Sequence, residues 1–274
     1  MDGLEALFQV GEGGTIVKEQ NVSKDILNQL VTMTNHLGDP ALDYAILGEG
    51  NTSARADAET FWVKASGYEM RTLTASGFVR VAFDKVLALL HRVNLSDQET
   101  KEGLSAAKVD PGVSAHPSVE TILHALCLGL EGVNFVGHTH PTAVNALTCS
   151  VAFETAFSGR LFPDEIVLCG PAPLLVPYTD PGVPLAGKVK QLLTGYLDRY
   201  GEPPRVVLMQ NHGLIVLGRS AAQVENFTAM MVKTARVLLG ALSAGGPHFM
   251  SQEQVDRIHT RPDELYRRQQ LGVG

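Results

Sequence analysis

Residues 133–141 read VNFVGHTHP. The apolar Val133, Phe135 and Val136 lead directly into His138 and His140, and Pro141 closes the run. Alternate residues of a β-strand project to one face, so a strand here turns both imidazoles the same way and lets them converge on one ion. Upstream, Pro117 is placed to open a helix reaching about Leu130, because its missing N–H needs no partner in a first turn, and this sets Glu120 in that turn. Downstream, EIVLCG, LLVPY, RVVLMQN and LIVLG read as strands separated by Pro/Gly turns and by a helix near 185–200. A final helix is expected from Ser220, with Gln223 completing a capping box. Its stripe Val224, Phe227, Met231, Leu238 and Leu242 has helical spacing, and GGP ends it near 245.

Towards the N-terminus, residues 23–37 predict a helix with Ser23 as N-cap, a stripe of Ile26, Leu27, Leu30, Val31 and Leu37, and Gly38 as the stop. YAILGEGNTSAR, FWVKASG and TLTASGFVRV then alternate strand-like runs with glycine turns. FDKVLALLHRV reads as a helix, and residues 94–117, polar with Gly and Pro, as the longest loop. This irregular mixture predicts an α/β layered domain and leaves strand order open. No repeat or composition break divides the chain, so 1–274 is expected to be one domain with extensions at about 1–20 and 247–274.

A third imidazole, His212, follows RVVLMQN and precedes a glycine, at a strand end where loops expose side chains. Three neutral nitrogens leave positions open for substrate. Zn2+ fits such a set and is the expected cofactor, with Mn, Fe or Co as alternatives. Taken alone, each histidine reads more simply as a hydrogen-bonded core residue, and Glu120 as a first-turn acid favoured by the helix dipole. His124, four residues after Glu120 on the same helical face, could orient that glutamate, but reads first as a packed structural histidine. The glycines and small polar side chains of GEGNTSAR suit phosphate oxygens, although they match neither a nucleotide P-loop nor a dinucleotide fingerprint.

At 274 residues, 45% hydrophobic and 19% charged, the chain can bury a sizeable core. Its formal net charge of -7 and lack of a Lys/Arg cluster argue against a nucleic-acid surface and for a small-molecule partner. Cys127, Cys149 and Cys169 read as buried, reduced thiols of a cytoplasmic protein. MDGLEALFQVGEGG lacks a signal-peptide pattern, and no run of about 18 apolar residues suggests a membrane span.

Taken in order, GEGNTSAR, KASG, HPSVE, GHTHP and NHG resemble the class II aldolase/adducin family over roughly residues 25–245. FWVKASGYEMRTLTASGF with PSVET and HTHP looks most like the rhamnulose-phosphate aldolase domain of some bifunctional proteins. The resemblance implies a three-layer α/β/α sandwich around a largely antiparallel sheet, and a homotetramer. It also implies a metal-dependent aldolase that cleaves a ketose 1-phosphate to dihydroxyacetone phosphate and an aldehyde through an enediolate. By the same likeness His138, His140 and His212 match the metal ligands and Glu120 the acid/base. Gly50, Asn51, Ser66, Gly67 and Ser118 match phosphate-cradling positions, with Thr52 and Ser53 as secondary candidates. Val119 departs from the paired serines of some aldolases. Decarboxylase, epimerase and dehydratase activities stay open. A non-catalytic adducin-like role is disfavoured because all four metal-site and acid/base residues are present. Tyr178 and Tyr266 are candidates for a leaving-group proton donor that no motif fixes.

Overall fold

The computed structural model describes residues 16–92 and 95–270. Its elements in chain order are α1 (Ile16–Leu37), β1 (Asn51–Arg55), β2 (Thr60–Lys64), β3 (Phe78–Ala82), α2 (Phe83–Leu87), α3 (Asp97–Ala106) and α4 (Thr121–Leu128). There follow β4 (Phe135–Thr139), α5 (Thr142–Thr148), α6 (Phe153–Ala156), α7 (Pro163–Cys169), β5 (Leu174–Val176) and α8 (Val183–Tyr200). The chain then forms β6 (Val206–Met209), β7 (Gly213–Gly218), α9 (Ala221–Ser243), α10 (Gln252–Thr260) and α11 (Pro262–Gln270). The strands make one seven-stranded sheet in the order β3-β2-β1-β4-β7-β6-β5. Only the β5–β6 pair at one edge is parallel, so the expected largely antiparallel sheet is present.

Both sheet faces are apolar because successive side chains alternate between two cores. Ile215 and Leu217 of β7 join Val136, Ile122 and Leu126 on the face covered by α4 and α8, while Leu214 and Val216 join Phe135, Phe227, Met231 and Leu30 beneath α1 and α9. Fully burying one Phe or Leu side chain contributes roughly 1.5–3 kcal/mol, and two such layers hold the sheet between helices. The result is the α/β/α sandwich that the motifs implied.

Several local expectations are corrected. The first helix starts at Ile16, which places Ser23 inside it, where its hydroxyl accepts a 3.4 Å hydrogen bond from the Trp62 indole instead of capping. Residues 94–117 contain α3, nucleated by a capping box in which Ser96 Oγ accepts from Glu99 N and the Glu99 carboxylate accepts from Ser96 N. EIVLCG is helical in α7. Pro163 opens that helix, Asp164 and Glu165 occupy its first turn, and buried Arg160 fastens Glu165 at 2.7 Å, while Gly170, at φ 79, stops it. The helix expected from Pro117 starts only at Thr121, because Pro117 is held extended in a bridge to Ala65. Glu120 is therefore its N-cap residue and not a member of its first turn. Cys149 is exposed, whereas burial pushes the Cys127 and Cys169 thiols up to about 12. The native protein is thus expected to give one fast thiol in a disulfide-exchange titration and three after denaturation; more than one fast thiol would contradict this packing.

Candidate metal centre and acid/base site

β1, β4 and β7 meet at one end of the sheet. The register pairs Asn51 with His138 and His138 with Ile215, bringing the start of β1, the end of β4 and the start of β7 together. His138 shares strand parity with Val136 and so faces α4, whose N-terminus carries Glu120. His140 lies just beyond β4, its backbone N–H donating to Tyr44 O at 2.8 Å. His212 sits in the three-residue turn between Met209 and Gly213, next to Asn211 at φ 54. That turn is tied down by Asn211 N donating to Thr148 O and Asn145 Nδ2 donating to His212 O. Gly213 is required by contact: a Cβ there would lie 2.6 Å from His140 Cδ2 and 2.7 Å from Thr139 O.

The three imidazoles converge. One ligand nitrogen from each of His138, His140 and His212 lies within 4.8 Å of the others, and their ring centroids are 4.7–5.4 Å apart. His138 Nδ1 is 3.0 Å from Leu214 O, and a carbonyl can only accept, so this nitrogen carries the proton and Nε2 presents its lone pair inward. His140 Nε2 stands 3.0 Å from that Nε2. Two nitrogens bound tetrahedrally at about 2.0–2.1 Å are roughly 3.3 Å apart, so the pair needs little movement to share a cation. Burial pushes His138 and His140 down to about 4, against the pull of Glu120 and, for His140, Glu49 as well, which keeps both neutral as ligands must be. The donor set fits a divalent metal, with softness that suits Zn2+ and also accepts Mn, Fe or Co.

Glu120 reaches into the same space. Oε2 accepts from Asn51 Nδ2 at 2.6 Å and lies 3.4 Å from His138 Nε2. Oε1 lies 3.1 Å from His212 Nε2 but makes no hydrogen bond of good geometry, and so remains a buried acceptor open to a new partner. Burial alone would raise the carboxyl's affinity for a proton; His138, His212 and the Asn51 amide outweigh it and hold Glu120 well below the usual carboxylate range.

The residues proposed for phosphate gather at this end too. The Ala65–Pro117 bridge and the Ser66 N to His116 O hydrogen bond set Ser66 and Gly67 against the turn carrying Ser118. Ser66 and Gly67 are exposed, and Gly67, at φ 83, faces open space. Gly50, at φ 69, abuts His138 O, where a Cβ would sit at 2.6 Å. Ser118 Oγ accepts from Glu120 N at 3.3 Å. The Asn51 side chain is engaged by Glu120 and His124, and Ser53 by His124. Thr52 points to the opposite face, bonded to Thr34 of α1 at 2.6 Å. Tyr178 and Tyr266 are both exposed, and the Tyr178 hydroxyl donates to Asp180.

One site-region residue, Lys64, escaped sequence reasoning, and His124 is more engaged than its first reading allowed. His124, read from sequence first as packing and second as able to orient Glu120, is hydrogen-bonded at both ring nitrogens. Lys64, only 2% exposed in KASG, has its ammonium pushed down by burial to about 8 while Glu120 draws it upward. A lysine ending an otherwise apolar strand was the available signal.

Residues 28–239 match the family described as Class II Aldolase and Adducin N-terminal domain. YuxG of Bacillus subtilis (strain 168), an uncharacterized oxidoreductase, is 30% identical over 198 residues, covering 69% of this chain and 26% of its own length; the chain thus spans about a quarter of that relative. The N-terminal class II aldolase domain of a conserved Thermoplasma acidophilum protein aligns with TM-score 0.61 and 25% identity over 85% of this chain and 98% of that one. YgbL of Klebsiella pneumoniae, provisionally named as an aldolase/epimerase/decarboxylase, aligns with TM-score 0.66 and 20% identity over 86% and 99%, a likeness of fold. Among the described residues no helix is long and apolar enough to cross a membrane.

Proposed function

Because the chain belongs to the class II aldolase and adducin family, we propose that it is a metal-dependent lyase that cleaves a ketose 1-phosphate to dihydroxyacetone phosphate and an aldehyde. The observation that carries this reading is the buried Glu120 Oε1, 3.1 Å from His212 Nε2 without a hydrogen bond of good geometry, beside the three converging imidazole nitrogens. A divalent cation held by His138, His140 and His212 would supply Lewis-acid stabilisation of charge developing on substrate oxygens. Glu120 manages the proton. As the bond between C3 and C4 breaks, the C4 hydroxyl passes its proton to the Glu120 carboxylate and C4 departs as the aldehyde, leaving the bonding pair on C3 of the three-carbon enediolate. Glu120 Oε1 then delivers a proton to C3; in the synthetic direction it removes one. Asn51 holds Oε2 so that Oε1 stays aimed at the carbon. Gly50, Ser66, Gly67 and Ser118 receive the phosphate, and the buried Lys64 adds positive charge close enough to Glu120 to interact with it. The reading includes a small sugar-phosphate substrate, a homotetramer and a cytoplasmic location.

Decarboxylation, epimerisation and dehydration need the same placement of an acid/base beside an oxygen-bearing carbon, and the YgbL likeness keeps a decarboxylase or epimerase as the second reading. The test is a coupled dihydroxyacetone phosphate release assay over a panel of ketose 1-phosphates, with metal-loaded and chelator-treated protein in parallel. Metal-dependent release is expected for at least one sugar. No release from metal-bound protein would transfer the proposal to the decarboxylase, epimerase and dehydratase group.

A further inference from the structure

A buried chain of polar side chains runs from the middle of β1 to the Glu120 carboxylate, and its donor directions can be deduced. Asn51 Nδ2 donates to Glu120 Oε2 at 2.6 Å, so the amide NH2 faces the carboxylate. The other end of that amide is then the carbonyl Oδ1, which contacts His124 Nε2 and can only accept; Nε2 therefore carries the imidazole proton. A neutral imidazole has one such proton, so Nδ1 is a lone pair and the Ser53 hydroxyl, 2.6 Å away, donates to it. All three residues are buried, Ser53 at 0%, His124 at 1% and Asn51 at 5% exposure. Burial holds His124 down to about 4, against Glu120, which keeps it in this neutral form.

We propose that His124 is a positioning residue: by donating through Nε2–H it locks the Asn51 amide with its NH2 towards Glu120, pinning Oε2 and leaving Oε1 as the single oxygen free to exchange the substrate proton. The inference rests on the reading of Glu120 as the acid/base. The lock is strict because turning the Asn51 amide over sets its carbonyl against a carboxylate and its NH2 against an N–H donor, two repulsive contacts in a buried site. Every donor in the chain points towards the carboxylate, so each bond polarises the next in the same sense. Ser53 completes the chain: a hydroxyl can donate or accept, so it satisfies Nδ1 while the Asn51 carbonyl sets the tautomer.

Two variants separate positioning from packing. His124→Phe keeps the ring volume and removes the donor, whereas His124→Gln can place an amide NH2 near the Nε2 position. His124→Phe is expected to lower kcat roughly 10–100-fold, the usual range for a group that orients a site residue, with KM little changed and metal content retained. His124→Gln is expected to recover most of the rate. Introduced into Glu120→Gln, His124→Phe should cost little further, since its effect runs through Glu120. Equal rates for wild type and both variants, or a full further loss in the double variant, overturns the proposal. A substrate-independent readout separates its failure from failure of the functional reading. Long-range 15N–1H spectra of histidine-labelled metal-loaded protein should show His124 as the Nε2–H tautomer throughout the neutral range, and Asn51→Leu should shift that resonance. An Nδ1–H tautomer at His124 would disprove the chain whatever substrate the enzyme takes.

Discussion

Glu120→Gln is expected to keep its bound metal and to lose about 10²–10⁴-fold in turnover, the range supplied by a positioned acid/base. Glutamine has the same length, and its carbonyl can take the place of Oε2 and accept from Asn51 Nδ2. Its NH2 then falls where Oε1 now lies, 3.1 Å from His212 Nε2. The site remains filled and the imidazoles remain in place, yet no atom there can accept a proton from carbon. Metal analysis beside steady-state kinetics separates the outcomes. Retained metal with collapsed kcat places the proton transfer on Glu120. Wild-type turnover removes it from that role, and loss of metal would make it a structural partner of the histidines.

The sequence made the centre of this site readable because its chemistry is local. VNFVGHTHP carries both strand and ligand spacing, and NHG marks the turn that brings His212 back beside the strand. Ser220 caps α9 as its spacing predicts, with Oγ accepting from Gln223 N, although Gln223 returns its carbonyl to Arg219 N and not to Ser220. Failures arose where a local rule met a competing one. EIVLCG is a short apolar run whose periodicity cannot separate a strand from a buried helix turn, and the decisive Pro163 and the Arg160–Glu165 pair lie at its edge. The polarity of residues 94–117 obscured the Ser96/Glu99 box that nucleates α3. Pro117 satisfied the rule for a first helical turn, but pairing with Ala65 drew it into extended backbone. The Ser53, His124, Asn51 and Glu120 network was beyond pattern reading, since its partners are 69 to 73 residues apart and meet only when β1 packs under α4.

A metal titration followed by thermal unfolding is expected to raise the midpoint of chelator-treated wild type and to leave His212→Ala unchanged. An ion that binds only the folded chain stabilises it by about 2.7 kcal/mol at a hundredfold excess over Kd. At roughly 2–4 °C per kcal/mol for a chain of this size, the shift is on the order of 5–10 °C. His212 is the ligand to remove because its side chain is 16% exposed on a turn, whereas His138 is 1% exposed and bonded to Leu214 O within the sheet. Truncating His138 would mix ligand loss with a cavity and an orphaned carbonyl. With His212 gone, two imidazoles remain, and affinity should fall far enough that the same titration gives no shift while the metal-free midpoint stays close to wild type. An undiminished shift in His212→Ala would place the ion elsewhere. Absence of any shift in wild type, for each of zinc, manganese, iron and cobalt, would remove the metal from the mechanism and favour a non-catalytic use of the fold.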